Sequence, residues 1–189
     1  MEALLVSAGV VALAEIGDKT QLLALVLAAR FRAPLAVILG ILTATLANHF
    51  AAGFVGTLLA AHLSPAVMRG LLGLSFFAAA AWMFIPDRLP QGQDAPSRFG
   101  AYGTTVIAFF IAEIGDKTQL ATVALAARFQ TLIPVVAGTT LGMLIADVPA
   151  VVLGKVTAER LPVRLMNLLA AAVFVALGVY TLLGHGAPA

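Results

Sequence analysis

The chain has 189 residues, of which 61% are hydrophobic and only 11% charged; its formal charge is +2 and it contains no cysteine. A soluble domain carries about 25% charged residues, so this shortfall, spread along the whole length, places the chain in the membrane class. The missing cysteines exclude disulfides, thiolate metal sites and iron–sulfur clusters, three scattered histidines do not make a histidine-built metal centre, and no Lys/Arg run points to nucleic acid.

Six apolar stretches follow in chain order, near residues 3–29, 34–61, 67–86, 101–127, 132–154 and 163–184. A hydrocarbon core needs about 20 helical residues. The first, second and fourth stretches exceed that, which predicts tilt, kinks or re-entrant pieces. Ala12-Leu13-Ala14 resembles a signal-peptidase site, but no Lys or Arg precedes Lys19, so the first stretch reads as a retained span. The clearly polar connector is Pro86 to Arg98, rich in proline, glycine and charge.

The two sides of this connector match at an offset of 98 residues. Glu15-Ile-Gly-Asp-Lys-Thr-Gln-Leu22 recurs unchanged as Glu113 to Leu120, and Ala28-Ala29-Arg30-Phe31 recurs as Ala126 to Phe129. Gly40 answers Gly138, Gly56 answers Gly154, and Phe76 answers Phe174. The expected fold is an all-α polytopic membrane protein: a first three-helix repeat over 1–86, a polar cytoplasmic linker over 87–100, and a second repeat over 101–189. Three spans per unit make the second repeat enter from the opposite face, so the six transmembrane helices form two inverted repeats, as in many secondary transporters. With both termini outside, Arg30, Arg32, Arg88, Arg98, Lys155, Arg160 and Arg164 lie in cytoplasmic loops, against Arg69 and Arg128 outside. The positive-inside rule favours that orientation.

The duplicated motif carries the chemistry. Glu15 lies 12 residues after Ala3, and Glu113 lies 12 after Ala101. That is roughly 18 Å of helix, close to the middle of a ~30 Å core. On a continuous helix Glu15, Asp18 and Gln21 fall within about 120° of arc, with Thr20 pointing elsewhere unless the helix unwinds. Gly17 and Gly115 make a kink or a close crossing easy. Two facing motifs would present Glu15, Asp18, Glu113 and Asp116, with the carboxamides of Gln21 and Gln119, as an oxygen-only donor set for a hard divalent ion. Four carboxylates against Lys19 and Lys117 leave a net charge of −2, which one divalent cation or two protons would cancel. A site that holds either, but not both, is the minimum for antiport. The plainer reading makes Glu15–Lys19 and Glu113–Lys117 i,i+4 pairs that staple helices. It leaves Asp18 and Asp116 unexplained, and ionisable groups inside a membrane are functional by default.

Three more polar residues fall inside spans. With a one-residue slip Asn48 and Asp147 are repeat equivalents and both are candidates for the central site; Pro149, just after Asp147, can free backbone carbonyls. For His49 the simpler reading is a hydrogen bond between helices. Trp82 and Tyr180, also equivalent, suit an interfacial aromatic belt. There is no His-Glu-x-x-His or Gly-x-Ser-x-Gly, which argues against an enzyme, and polar residues gathered in one band suit a gated carrier better than a channel.

The doubled Glu-x-Gly-Asp-Lys-Thr motif, each copy opening a three-span repeat, resembles the family that includes Golgi manganese/calcium transporters and bacterial manganese exporters. That resemblance covers essentially the whole chain. It implies a cation/proton antiporter in which Glu15, Asp18, Glu113 and Asp116 bind the ion and couple protons. By charge and spacing alone, Lys19 and Lys117 are candidate counter-ions to those acids. For a short chain of bacterial character it implies Mn²⁺ export across the inner membrane, with Ca²⁺/H⁺ exchange as the alternative. No cofactor is expected; the partners are the ion, protons and lipid, with a homo-oligomer left open. Family members tend to carry an amide at the position of Asp147, so this chain adds a third uncompensated charge. A nitrogen or thioether donor facing the site, from His49 or Met143, would favour Mn²⁺ over Ca²⁺.

Overall fold

A computed structural model describes residues 1–85, 97–153 and 163–184. Among them every regular element is helical: α1 (Glu2–Glu15), α2 (Lys19–Phe31), α3 (Pro34–His62), α4 (Pro65–Trp82), a 3₁₀ turn (Ser97–Phe99), α5 (Gly100–Glu113), α6 (Lys117–Phe129), α7 (Leu132–Leu153) and α8 (Val163–Leu182). Four of these, α3, α4, α7 and α8, are long and apolar enough to cross a membrane, and α5 is a shorter apolar helix. The centre of the polar connector, residues 86–96, lies outside the described residues, as do Gly154, Lys155 and Arg160.

The first and fourth apolar stretches are not continuous helices. Each breaks inside the motif, α1 from α2 and α5 from α6, so the single helical face expected for Glu15, Asp18 and Gln21 does not exist. Gly17 and Gly115 cause the break. Their φ values of +84° and +74° lie in the left-handed region, where a Cβ clashes with the backbone. Asp18 and Asp116 then restart the chain as N-caps, each accepting from the backbone N–H two residues on at 3.4 Å. Both second half-helices end alike, with left-handed caps at Arg32 and Gln130 whose N–H groups bond to Ala28 and Ala126.

Packing repeats with the sequence. The long helix of each repeat lies along the broken pair of the other: α7 against α1 and α2, α3 against α5 and α6. Glycines permit the approach. A Cβ on Gly40 would strike Thr105 and the Tyr102 carbonyl, and one on Gly138 would strike Ser7 and the Leu4 carbonyl. These contacts are equivalent at an offset of 98 with no slip. The one-residue slip is therefore corrected: His49, not Asn48, is the counterpart of Asp147. Close backbone packing of this kind is what holds helices together where lipid removes the hydrophobic driving force. α4 and α8 meet through the equivalent pair Phe76 and Phe174, both fully buried, with ring centroids 6.5 Å apart.

Polarity is inverted relative to a soluble protein. Large apolar side chains such as Leu35, Leu74, Ile133 and Leu168 are exposed, whereas Glu15, Asp18, Glu113, Asp116 and Asp147 are buried. A surface of that kind is matched to hydrocarbon, not water.

Candidate cation site

The two breaks meet at the centre of the bundle. One carboxylate oxygen from each of Glu15, Asp18 and Asp116 lies within 4.8 Å of the others, and all three residues are buried. Glu15 is also within electrostatic reach of Glu113 and Asp147. Each broken helix directs a C-terminal carbonyl end and an N-terminal amide end at this point. The first suits a cation and the second suits the capping aspartates.

The lysines do not pair along their own helices. Lys19 Nζ lies 2.5 Å from Asp116 Oδ1, and Lys117 pairs with Asp18. The i,i+4 staples are thus replaced by crossed pairs that tie each repeat to the other. The reason is the break itself: once Gly17 interrupts the helix, Glu15 and Lys19 no longer share a face.

The break also brings in residues that a continuous wheel turns away. Thr20 Oγ1 donates to Glu15 Oε2 at 2.6 Å. Thr118 Oγ1 lies 3.3 Å from Glu113 Oε2 and 3.2 Å from Asp116 Oδ2. The legible signal was Gly-Asp-x-Thr before an apolar run, a helix-start pattern. Gln21 and Gln119 fold back, their Oε1 atoms accepting from the N–H of Gly17 at 3.1 Å and of Gly115 at 2.8 Å. Gln21 Nε2 reaches across to the Ala146 carbonyl at 2.9 Å. Asn48 Nδ2 donates to the Phe110 carbonyl at 3.1 Å, which joins α3 to α5 just ahead of Glu113.

Asp147 is fully buried, and both its carboxylate oxygens lack a hydrogen-bond partner among the described residues. Glu15 Oε1 and Glu113 Oε1 lack one too. Both ring nitrogens of His49 likewise lack a partner among the described residues, so the interhelical hydrogen bond expected of it does not form among them. Met143 packs among Val11, Ile41 and Phe109 in an apolar cluster. Trp82 does not stand at the surface alone: with Val55, Gly115, Asp116 and Gln119 it lines a cavity of about 470 Å³. Tyr180 instead lies under the Arg128 guanidinium, 5.0 Å from its ring centroid.

A helical bundle with an apolar exterior and a crowded acidic centre is an integral membrane protein equipped to take up cations. The family model described as "Divalent cation/proton antiporter GDT1" matches residues 3–91 and 101–188, so the chain belongs to that family, one of transporters rather than enzymes. A Vibrio cholerae serotype O1 protein named "Putative manganese exporter" is 46% identical over 182 residues, covering 96% of this chain and 90% of its own length. No solved structure matches the chain.

Proposed function

We propose that this protein exports Mn²⁺ from the bacterial cytoplasm in exchange for protons, by alternating access around the two motifs. The observation that carries the reading is the buried oxygen cluster of Glu15, Asp18 and Asp116 with its crossed lysine pairs. Glu15, Asp18, Glu113 and Asp116 bind the ion and couple protons: those taken up from outside in its absence leave to the cytoplasm as the ion binds. Asp147 adds charge beside them. Gln21, Gln119 and Asn48 hold the broken helices and keep a carbonyl oxygen near the ion. Without cargo, the ammonium groups of Lys19 and Lys117 neutralise the two aspartates, so an arriving divalent ion must displace them. Binding then loosens the crossed pairs and lets the repeats move against each other. Ca²⁺ is the competing cargo, since carboxylate oxygens accept both ions; the similarity to the V. cholerae protein favours manganese.

Packing supports both the inverted repeats and the alternation. α1 sides with α6 and α2 with α5, whereas α1–α5 and α2–α6 contacts are at most marginal. That is the arrangement expected if the repeats run in opposite directions. α4 packs on α6 and α8 packs on α1, while α4–α5 and α8–α2 contacts are again at most marginal. The α4/α8 pair is therefore closed against the halves on one side of the breaks and parted from the halves on the other. The parted side is that of Arg30 and Arg32, the cytoplasmic side by charge, and both termini then lie outside.

The test is Mn²⁺ and Ca²⁺ uptake into proteoliposomes under an imposed pH gradient, with an internal pH dye. Wild type should take up Mn²⁺ with matched proton movement, and Glu15→Gln with Glu113→Gln should abolish both. Flux indifferent to the pH gradient would show a channel, and flux that survives the double substitution would remove the acids from the mechanism.

A further inference from the structure

We propose that His49 supplies a nitrogen ligand to the transported ion, through Nε2 beside the Glu113 carboxylate, and that this donor makes the site favour Mn²⁺ over Ca²⁺. The inference rests on the transport reading above and adds the group that selects its cargo.

His49 sits in the middle of α3, with no exposed surface. Neither ring nitrogen has a hydrogen-bond partner among the described residues. Burying an imidazole without a partner forfeits its hydration and returns nothing. Buried polar groups in native proteins are almost always satisfied, so an unsatisfied one needs a reason. Packing supplies none, because Leu or Met would fill the same space without that penalty.

The geometry points to an ion. Nε2 lies 4.0 Å from Glu113 Oε2. That is too long for a hydrogen bond. Two donors bound to one first-row ion at about 2.1 Å each stand roughly 3–4 Å apart, according to the angle between them. Glu113 Oε1 is also unpartnered, so the pair offers two open donors side by side. Glu113 is tied to the acid cluster through the Thr118 hydroxyl, which reaches Asp116 as well.

The repeat supplies an internal comparison. At the unslipped offset His49 corresponds to Asp147, and Glu113 corresponds to Glu15. Asp147 is buried and unpartnered like His49, and lies within electrostatic reach of Glu15. Each motif glutamate thus has an unsatisfied donor near it from a long helix, a carboxylate in one half and an imidazole in the other. An all-oxygen set would suit Ca²⁺ and Mg²⁺ as well as Mn²⁺. Imidazole is a ligand of transition ions, and hard alkaline-earth ions gain little from it.

Electron spin-echo spectroscopy of Mn²⁺ bound to the full chain in lipid nanodiscs tests this directly. The expected spectrum shows nitrogen modulation that changes when the protein is made with ¹⁵N-histidine and disappears in His49→Gln. The same substitution should lower the ratio of Mn²⁺ to Ca²⁺ uptake in proteoliposomes about tenfold or more, since even groups behind a metal ligand alter affinity by that factor. A merely structural histidine would leave no nitrogen coupling in wild type. Mn²⁺ bound and transported without that coupling overturns the role of His49 and leaves the transport reading standing. Wild type that binds no Mn²⁺ overturns both. If His49→Gln does not fold, the isotope shift decides when it persists in the chain carrying His62→Gln and His185→Gln, where His49 is the remaining histidine.

Discussion

Thr20 shows how a single hydroxyl depends on one glycine. Its 2.6 Å bond to Glu15 exists only because Gly17 turns the chain between them. A hydrogen bond to a charged group is worth about 1.5–3 kcal/mol, or roughly 10–100-fold in an equilibrium. Thr20→Ala is accordingly expected to weaken Mn²⁺ binding at least tenfold in equilibrium dialysis, with Thr20→Ser restoring it. Equal loss in both variants would assign the residue to packing, since only the serine keeps the hydroxyl. The glycines themselves are the stricter case. Gly17→Ala or Gly115→Ala forces a Cβ into left-handed backbone at about 1–2 kcal/mol. A lower melting temperature in detergent is the expected outcome; an unchanged one would mean that the break tolerates another geometry.

At the scale of elements, the crossed lysines decide how the repeats are joined. Breaking a buried pair by removing one partner costs about 3–5 kcal/mol, whereas removing both can be close to neutral. Lys117, almost fully buried, is the better probe, because Lys19 keeps part of its side chain exposed. Lys117→Met should therefore destabilise the protein more than Lys117→Met combined with Asp18→Asn, as read by thermal unfolding in detergent. A double variant worse than the single one would show that each residue has a separate partner. The Glu-x-Gly-Asp-Lys-Thr string made the acids and the lysines legible, but not this pairing. An i,i+4 spacing names the nearest partner on a straight helix, and the helix is not straight here.

For the whole molecule, equivalent residues in unequal surroundings report the conformation. Ala29 is exposed beside a cavity of about 450 Å³ between α2 and α7, while its counterpart Ala127 is buried against the α4/α8 core. The chain has no cysteine, so single replacements give clean probes. Ala29→Cys should react with a membrane-impermeant maleimide added from the side of Arg30, cytoplasmic in the proposed orientation, and Ala127→Cys should resist labelling from either side. Conditions that drive the opposite state should exchange these reactivities. Two cysteines that stay unchanged throughout would argue against alternation between the repeats. The Arg128–Tyr180 contact is part of the same asymmetry, as its equivalents Arg30 and Trp82 have other neighbours.

The sequence by itself determined the membrane class, the two repeats, the central acids and their doubled arrangement. Composition, periodicity and self-similarity are properties of the chain alone, and each leaves its mark before folding. Tertiary structure decided which atoms face one another: the breaks at Gly17 and Gly115, the crossing of Lys19 and Lys117, the unslipped register that matches His49 with Asp147, and the side on which α4 and α8 are closed. The breaks have a local cause in the two glycines, whose kink the sequence allowed without fixing; the rest depend on the approach of segments far apart in the chain, and local spacing carries no record of that approach.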